Sequence, residues 1–251
     1  MKGSGLVQKL RGVVRQRPFL ITLLLVGVLA GTAVYTLYAL RNPRNQQFFQ
    51  WANGQNRADL ITVQRDTCPG APFILPADGF IGLLYDDPRG PYSRLTPHQG
   101  IDIFSDTEPG TTPVYAAYDG YVTREGDWRS TLIMRVPQDP LQPERQIWLY
   151  YTHMADRQGN DFIEPAFAPG TRELFVEQGT LLGYTGNYNG DSARTVWVHL
   201  HFSVVQDDGN GRYLNELDIN NTLDPSPYLG LNVNYDCTPT VTTCADKPTC
   251  T

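Results

Sequence analysis

The chain has 251 residues, a formal charge of −6 and 41% apolar residues, which fits one good-sized domain with appendages. No Lys/Arg-rich run lies outside the N-terminus, which argues against a nucleic-acid partner. Glycine, proline, tyrosine and threonine are plentiful and long helical periods are scarce, so the composition predicts a mainly β chain with many turns.

The N-terminus departs from this texture. Phe19 to Leu40 carries no charge over about 22 residues, enough to cross a bilayer as one helix. Lys2, Lys9, Arg11, Arg15 and Arg17 precede it; Arg41 and Arg44 follow. The positive-inside rule makes 1–18 a cytoplasmic basic segment and 19–40 a transmembrane signal anchor, with the rest extracytoplasmic. The rival reading is a cleaved signal peptide and a secreted protein. Ala30-Gly31-Thr32-Ala33 resembles a cleavage site but falls in mid-run. Either way, Cys68, Cys237, Cys244 and Cys250 sit in an oxidising compartment where disulfides are expected. Three pairings are open. A Cys68–Cys237 bridge would tie the ends of the domain.

Residues 41–71 are rich in Asn, Gln and Arg and read as a juxtamembrane stalk. Phe48, Phe49 and Trp51 serve either the membrane interface or local packing. Residues 72–230 read as a single antiparallel β-rich domain. Strand character appears at 73–85, at 113–123 around the turn Asp119-Gly120, at 131–136, at 146–152 and at 174–184. It is strongest at 196–205. Residues 154–172 form a loop, 223–229 close the domain, and 231–251 are a Cys/Thr/Pro-rich tail.

All four histidines fall in strand-like motifs. In Val198-His199-Leu200-His201-Phe202, positions i and i+2 of a strand put both imidazoles on one face. In His98-Gln-Gly-Ile-Asp102, a strand puts His98, Gly100 and Asp102 on one face, and the glycine leaves room for something bound. His153 ends the run Trp148 to Thr152, with Tyr151 on its face. Two histidines and a carboxylate form a three-ligand set with an open position, as in catalytic zinc sites. Such a set also suits a non-haem Fe(II) centre. Two spare histidines tilt the choice towards zinc hydrolysis, since free imidazoles beside the metal can move protons.

The order His98-x-Gly-x-Asp102, Tyr151-x-His153, His199-x-His201 resembles the lysostaphin-like (LytM-type) zinc endopeptidases of peptidoglycan. Gly110 to Ala116, Gly120 to Val122, Val176 to Gly186 and Asp224-Pro225 with Tyr228 extend the likeness over about Phe73 to Leu229. The resemblance implies a β-rich fold with a narrow groove over one Zn2+ per domain, held by His98, Asp102 and His201. His153 and His199 would be catalytic. Read from its place in the strand alone, Tyr151 either orients substrate or packs. It implies peptidoglycan peptides as substrate and divisome or wall-synthesis proteins as neighbours. Two features depart from the pattern: a long loop between His153 and Leu174, and an altered lead-in from Asn187 to Trp197. The alternative function is a non-catalytic wall-binding regulator of other hydrolases, which expects decayed motifs. Asp86, Asp87, Asp207 and Asp208 read as solvated turn acids rather than a calcium site, and Trp128 and Trp148 as core or rim.

Overall fold

A computed structural model describes residues 21–34, 36–37, 41–63, 66–194 and 196–236. It divides into two compact units, 1–53 and 54–251. In the first, residues 21–34 are helical, and Leu24 and Leu29 are each 69% exposed. Among the described residues, no helix is long and apolar enough to cross a membrane. The predicted span over 19–40 lies partly outside them, and the basic segment 1–18 wholly so. A second helix, Pro43–Ala52, starts where the Asn42 side chain accepts a hydrogen bond from the Arg44 N–H and proline occupies the first turn, a pairing that favours helix initiation.

The second unit is antiparallel β. Its strands are β1 (Phe80–Leu83), β2 (Ile101–Phe104), β3 (Pro113–Tyr115), β4 (Gly120–Thr123), β5 (Leu132–Val136), β6 (Ile147–Thr152), β7 (Leu174–Val176), β8 (Leu181–Tyr184), β9 (His199–Gln206) and β10 (Thr222–Leu223). Eight form one sheet in the order β1-β2-β9-β6-β5-β4-β7, with β10 also on β9; β3 and β8 pair separately. Strand β9 is thus central, as its length and β-branched, aromatic composition predict.

Alternation along β9 separates core from site. Leu200, Phe202 and Val204 enter the main core with Ile101, Ile103, Leu149 and Tyr151. His199, His201, Ser203 and Val205 take the opposite face. That face is covered too: Val205, Ile133 and Trp148 form a smaller cluster with Trp128, Tyr150 and Tyr213 packed on it. Every residue from His199 to Val205 is buried.

Several expected strands are shorter or differently placed. Only Phe80–Leu83 of 73–85 is strand, and 174–184 splits between the two sheets. Residues 226–229 are a helical turn. The packed unit also reaches past 72–230. Cys68, Ala71, Leu231 and Val233 lie in the core, Thr62 pairs with Gly79, and Asn234 with Tyr85. Cys68 is buried, no free cysteine occurs among the described residues, and the other three cysteines lie outside them. The end of the domain is fastened by Tyr228. Its ring stacks on Phe73 at 4.8 Å, its hydroxyl donates to buried Asp139 at 2.7 Å, and Arg145 donates to that hydroxyl at 3.0 Å.

Candidate metal centre

The β2–β9 register sets Asp102 directly opposite His201. The close approach of the two chains depends on Gly100: a Cβ there would come within 2.3 Å of the Phe202 carbonyl oxygen. The glycine serves strand packing, where the sequence suggested room for a ligand. His98 is not in β2, which starts at Ile101. It lies in the preceding turn, fixed by its N–H to the Asp87 carbonyl at 3.0 Å and by its carbonyl accepting from Asp86 at 2.9 Å. His98, Asp102 and His201 nevertheless converge and are all buried.

Their inner atoms form a tight triangle. His98 Nε2 lies 2.9 Å from His201 Nδ1 and 3.2 Å from Asp102 Oδ1, and His201 Nδ1 lies 2.9 Å from the same oxygen. The outer ring nitrogens are already committed. His98 Nδ1 donates to the Leu84 carbonyl at 2.9 Å, and His201 Nε2 donates to Glu216 Oε1 at 2.7 Å. Neutral rings so oriented aim two lone pairs and a carboxylate oxygen at one point with no hydrogen between them. Such an arrangement is unfavourable unless a cation fills it. Two imidazoles and a carboxylate suit zinc, whose tetrahedral ligand atoms sit about 3.3 Å apart. The residues present therefore fit the ion.

Without a cation, a proton takes its place. Burial opposes charge on His201, but Glu216 and then the hydrogen bond to Asp102 outweigh it and push the ring up to about 10. Burial likewise works to raise Asp102, yet His98, His199 and the bond to His201 hold it well below the ordinary carboxylate range. Glu216 is lowered too: burial opposes, but His201 and the Ser203 hydroxyl, donating at 3.0 Å, prevail.

His153 and His199 sit together at the edge of this cluster, their rings 4.3 Å apart. His199 Nδ1 donates to the Trp197 carbonyl at 2.7 Å and His153 Nδ1 to the Tyr188 carbonyl at 2.5 Å. Each thereby keeps Nε2 as an acceptor; His199 Nε2 is 3.8 Å from Asp102 Oδ2. Both rings are held neutral. Burial and then neighbouring His199 press His153 down to about 3, and burial lowers His199 although Asp102 opposes it.

Tyr151 does not share this face. It is fully buried in the main core, and its hydroxyl accepts from the Ala117 N–H at 2.9 Å. The sequence reading placed Tyr151 beside His153 by strand alternation, but β6 ends at Thr152 and His153 adopts φ +71°. That left-handed turn reverses the alternation, so Tyr150 and Thr152 line the groove together with His153. Tyr150, not Tyr151, therefore lines the groove.

The groove over the cluster has a volume of 460 Å³ and is lined by Tyr92, Trp128, Arg129, Tyr150, Tyr188 and Glu216 beside His153 and His201. Glu216 and Tyr92 are among those that escaped sequence reasoning. Glu216 lies on the loop between β9 and β10, and only the return of that hairpin brings it to His201. Tyr92 packs on His98 with ring centres 4.6 Å apart. Burial, then Asp102 and Glu216, keep its hydroxyl protonated far above the ordinary tyrosine range. The acids weighed as calcium ligands are spent otherwise. Buried Asp87 is gripped by Arg89, and Asp207 accepts from Trp148 Nε1 at 2.9 Å and Gln146 Nε2 at 2.6 Å.

No family model and no curated protein matches the chain. Solved structures similar to it include a LytM protein of Ruminococcus gnavus ATCC 29149, at 23% identity over 58% of this chain and 52% of that one, TM-score 0.37. A point mutant of the catalytic domain of the prophage-encoded M23 protein EnpA of Enterococcus faecalis is 21% identical over 59% of this chain and 95% of that one, TM-score 0.33. Lysostaphin is 19% identical over 59% of this chain and 48% of that one, TM-score 0.37. The chain thus spans about half the length of the first and third. Scores this low place no functional weight on the likeness, and the chemistry rests on the chain's own residues.

Proposed function

We propose that the chain is a zinc metalloendopeptidase that cuts peptides of bacterial peptidoglycan. The observation that carries this is the inner triangle of His98 Nε2, Asp102 Oδ1 and His201 Nδ1, whose outer nitrogens are already bonded to Leu84 and Glu216. These three would hold the ion. When bound, zinc acts as a Lewis acid that polarises a carbonyl and acidifies water. The protein supplies the remainder. His153 and His199 present neutral Nε2 acceptors, kept free of protons by burial, so one takes a proton from the attacking water and returns it to the leaving amine. The Tyr92 hydroxyl, kept protonated by burial in the groove wall, would donate to negative charge developing on the scissile carbonyl. The open groove accepts an extended chain across Tyr150 and Tyr188.

The choice of wall peptides is supported by the resemblance carried by all five site positions, none of which has decayed as the regulator alternative expects. A membrane anchor, an extracytoplasmic site, disulfides in the tail and neighbouring wall-synthesis proteins belong to the same proposal. Mass spectrometry of products from defined muropeptides tests it. The zinc-loaded chain should yield fragments split at one peptide bond; intact muropeptides after prolonged incubation, or cleavage between sugars, would contradict it.

A further inference from the structure

A second cavity, of 570 Å³, shares no lining residue with the groove. Its volume lies in the range of about 300–1,000 Å³ usual for small-ligand sites. Trp148 and Tyr213 line it, together with Glu125, Arg172, Glu173 and Arg212.

The two spaces lie on either side of one aromatic wall. Trp128 and Tyr150 line the groove, and Tyr213 packs against Trp128 at 6.1 Å and against Trp148 at 5.5 Å. Trp148 and Tyr150 are two residues apart on β6, about 7 Å along the strand.

The second cavity is lined by two carboxylates and two guanidiniums, whose formal charges cancel, and of these Arg212 alone has no ion-pair partner among the described residues. Most of this charge is also spent internally. Arg172 grips Glu125 through bonds of 3.0 and 2.6 Å, and Glu173 Oε2 takes the Arg135 Nε–H at 2.8 Å. A ligand charge aimed at Glu125, Arg172 or Glu173 would have to compete with those pairs. Left over among the described residues are Glu173 Oε1, the Arg212 guanidinium and the Tyr213 hydroxyl. These are planar donors and acceptors of both kinds beside an aromatic ring. That set matches a neutral ligand carrying many hydroxyls on one side and an apolar C–H face on the other.

We propose that this cavity binds a neutral saccharide. Resting on the proposed function, the saccharide is the glycan strand to which the cleaved peptides are attached.

The test is calorimetric titration of the full-length chain with a linear, peptide-free oligomer of N-acetylglucosamine. The expected result is saturable binding whose Kd rises about tenfold in Tyr213→Ala and in Arg212→Ala and stays unchanged in His201→Ala. Arg212 is exposed, so its variant reports even if Tyr213→Ala fails to fold. Absence of saturable binding, or a wild-type Kd in both cavity variants, overturns the site. So does a sugar-free stem peptide that binds the wild type and is weakened by both variants, which would assign the cavity to peptide. If the oligomer binds as described while the zinc-loaded chain cuts no muropeptide, the saccharide site stands and the proposed activity falls. If muropeptides are cut and the oligomer does not bind, the activity stands and the site falls.

Discussion

His201 and His153 lie in one small volume yet take opposite protonation states, and their neighbours decide which. His201 lies between two carboxylates and holds a proton when no metal is present; His153 lies among other imidazoles and a carbonyl and stays neutral. Nitrogen-15 NMR of the imidazoles should show His153 as the Nδ1–H tautomer down to about pH 5, and a midpoint near 6.5 would contradict the packing argument. His153 titrates lower in the fold than its ordinary value of 6.5, so its contribution to stability is present above 6.5 and is lost as pH falls towards 3. Urea midpoints should therefore be lower at pH 5 than at pH 7, with a smaller difference in His153→Asn. Raised His201 works in another window, contributing fully below 6.5 and losing its effect as pH climbs towards 10. Glu216, bonded to His201 Nε2, would tune a metal held by that ring from behind. Glu216→Gln should weaken zinc affinity about 10–100-fold with the fold retained, as competition against a chelator will show.

At the scale of elements, the site depends on two close backbone approaches. Gly100 lets β2 lie against β9, and Gly186 joins the segments of His153 and His199. The Gly186 carbonyl accepts the His199 N–H at 3.0 Å, while a Cβ on Gly186 would lie 2.1 Å from the Ala155 carbonyl oxygen and 2.6 Å from that of His153. Gly186→Ala should cost about 1–3 kcal/mol of stability, as overpacking does, and should lower cleavage more than zinc content. Differential scanning calorimetry with metal analysis checks both. Strand logic read β9 correctly, because eight residues of regular β-structure keep the period of two. It failed one residue past β6, where the φ of +71° at His153 puts Tyr150 and Thr152 on the groove side in place of Tyr151. It also extended β2 back to His98, which is delivered by a turn. Local pattern carries no sign of such breaks, nor of Glu216, whose partner is set by a hairpin return 15 residues on.

Across the whole molecule, the sheet gives its two faces different work. One face holds the main core; the other carries the metal cluster, the groove and the aromatic wall behind which the second cavity lies. The mainly β architecture and the three converging motifs were legible because burial on each face leaves a period-two trace in the sequence. The groove walls were not, since they come from loops whose shape is set by long-range bonds. Buried Arg124 shows this: it donates to the carbonyls of Trp128 and Phe167 at 3.1 Å each and pairs with Asp161 at 3.0 Å, tying three separated segments together.

The central claim is that metal binding and proton transfer are divided between two pairs of histidines. Zinc content and muropeptide cleavage, measured together on His201→Ala and His153→Ala, test it most directly. The account predicts that His201→Ala loses both, and that His153→Ala keeps about one zinc per chain while cleavage falls by at least about 100-fold. A His201→Ala protein that retains zinc, or a His153→Ala protein that cleaves normally, would contradict it.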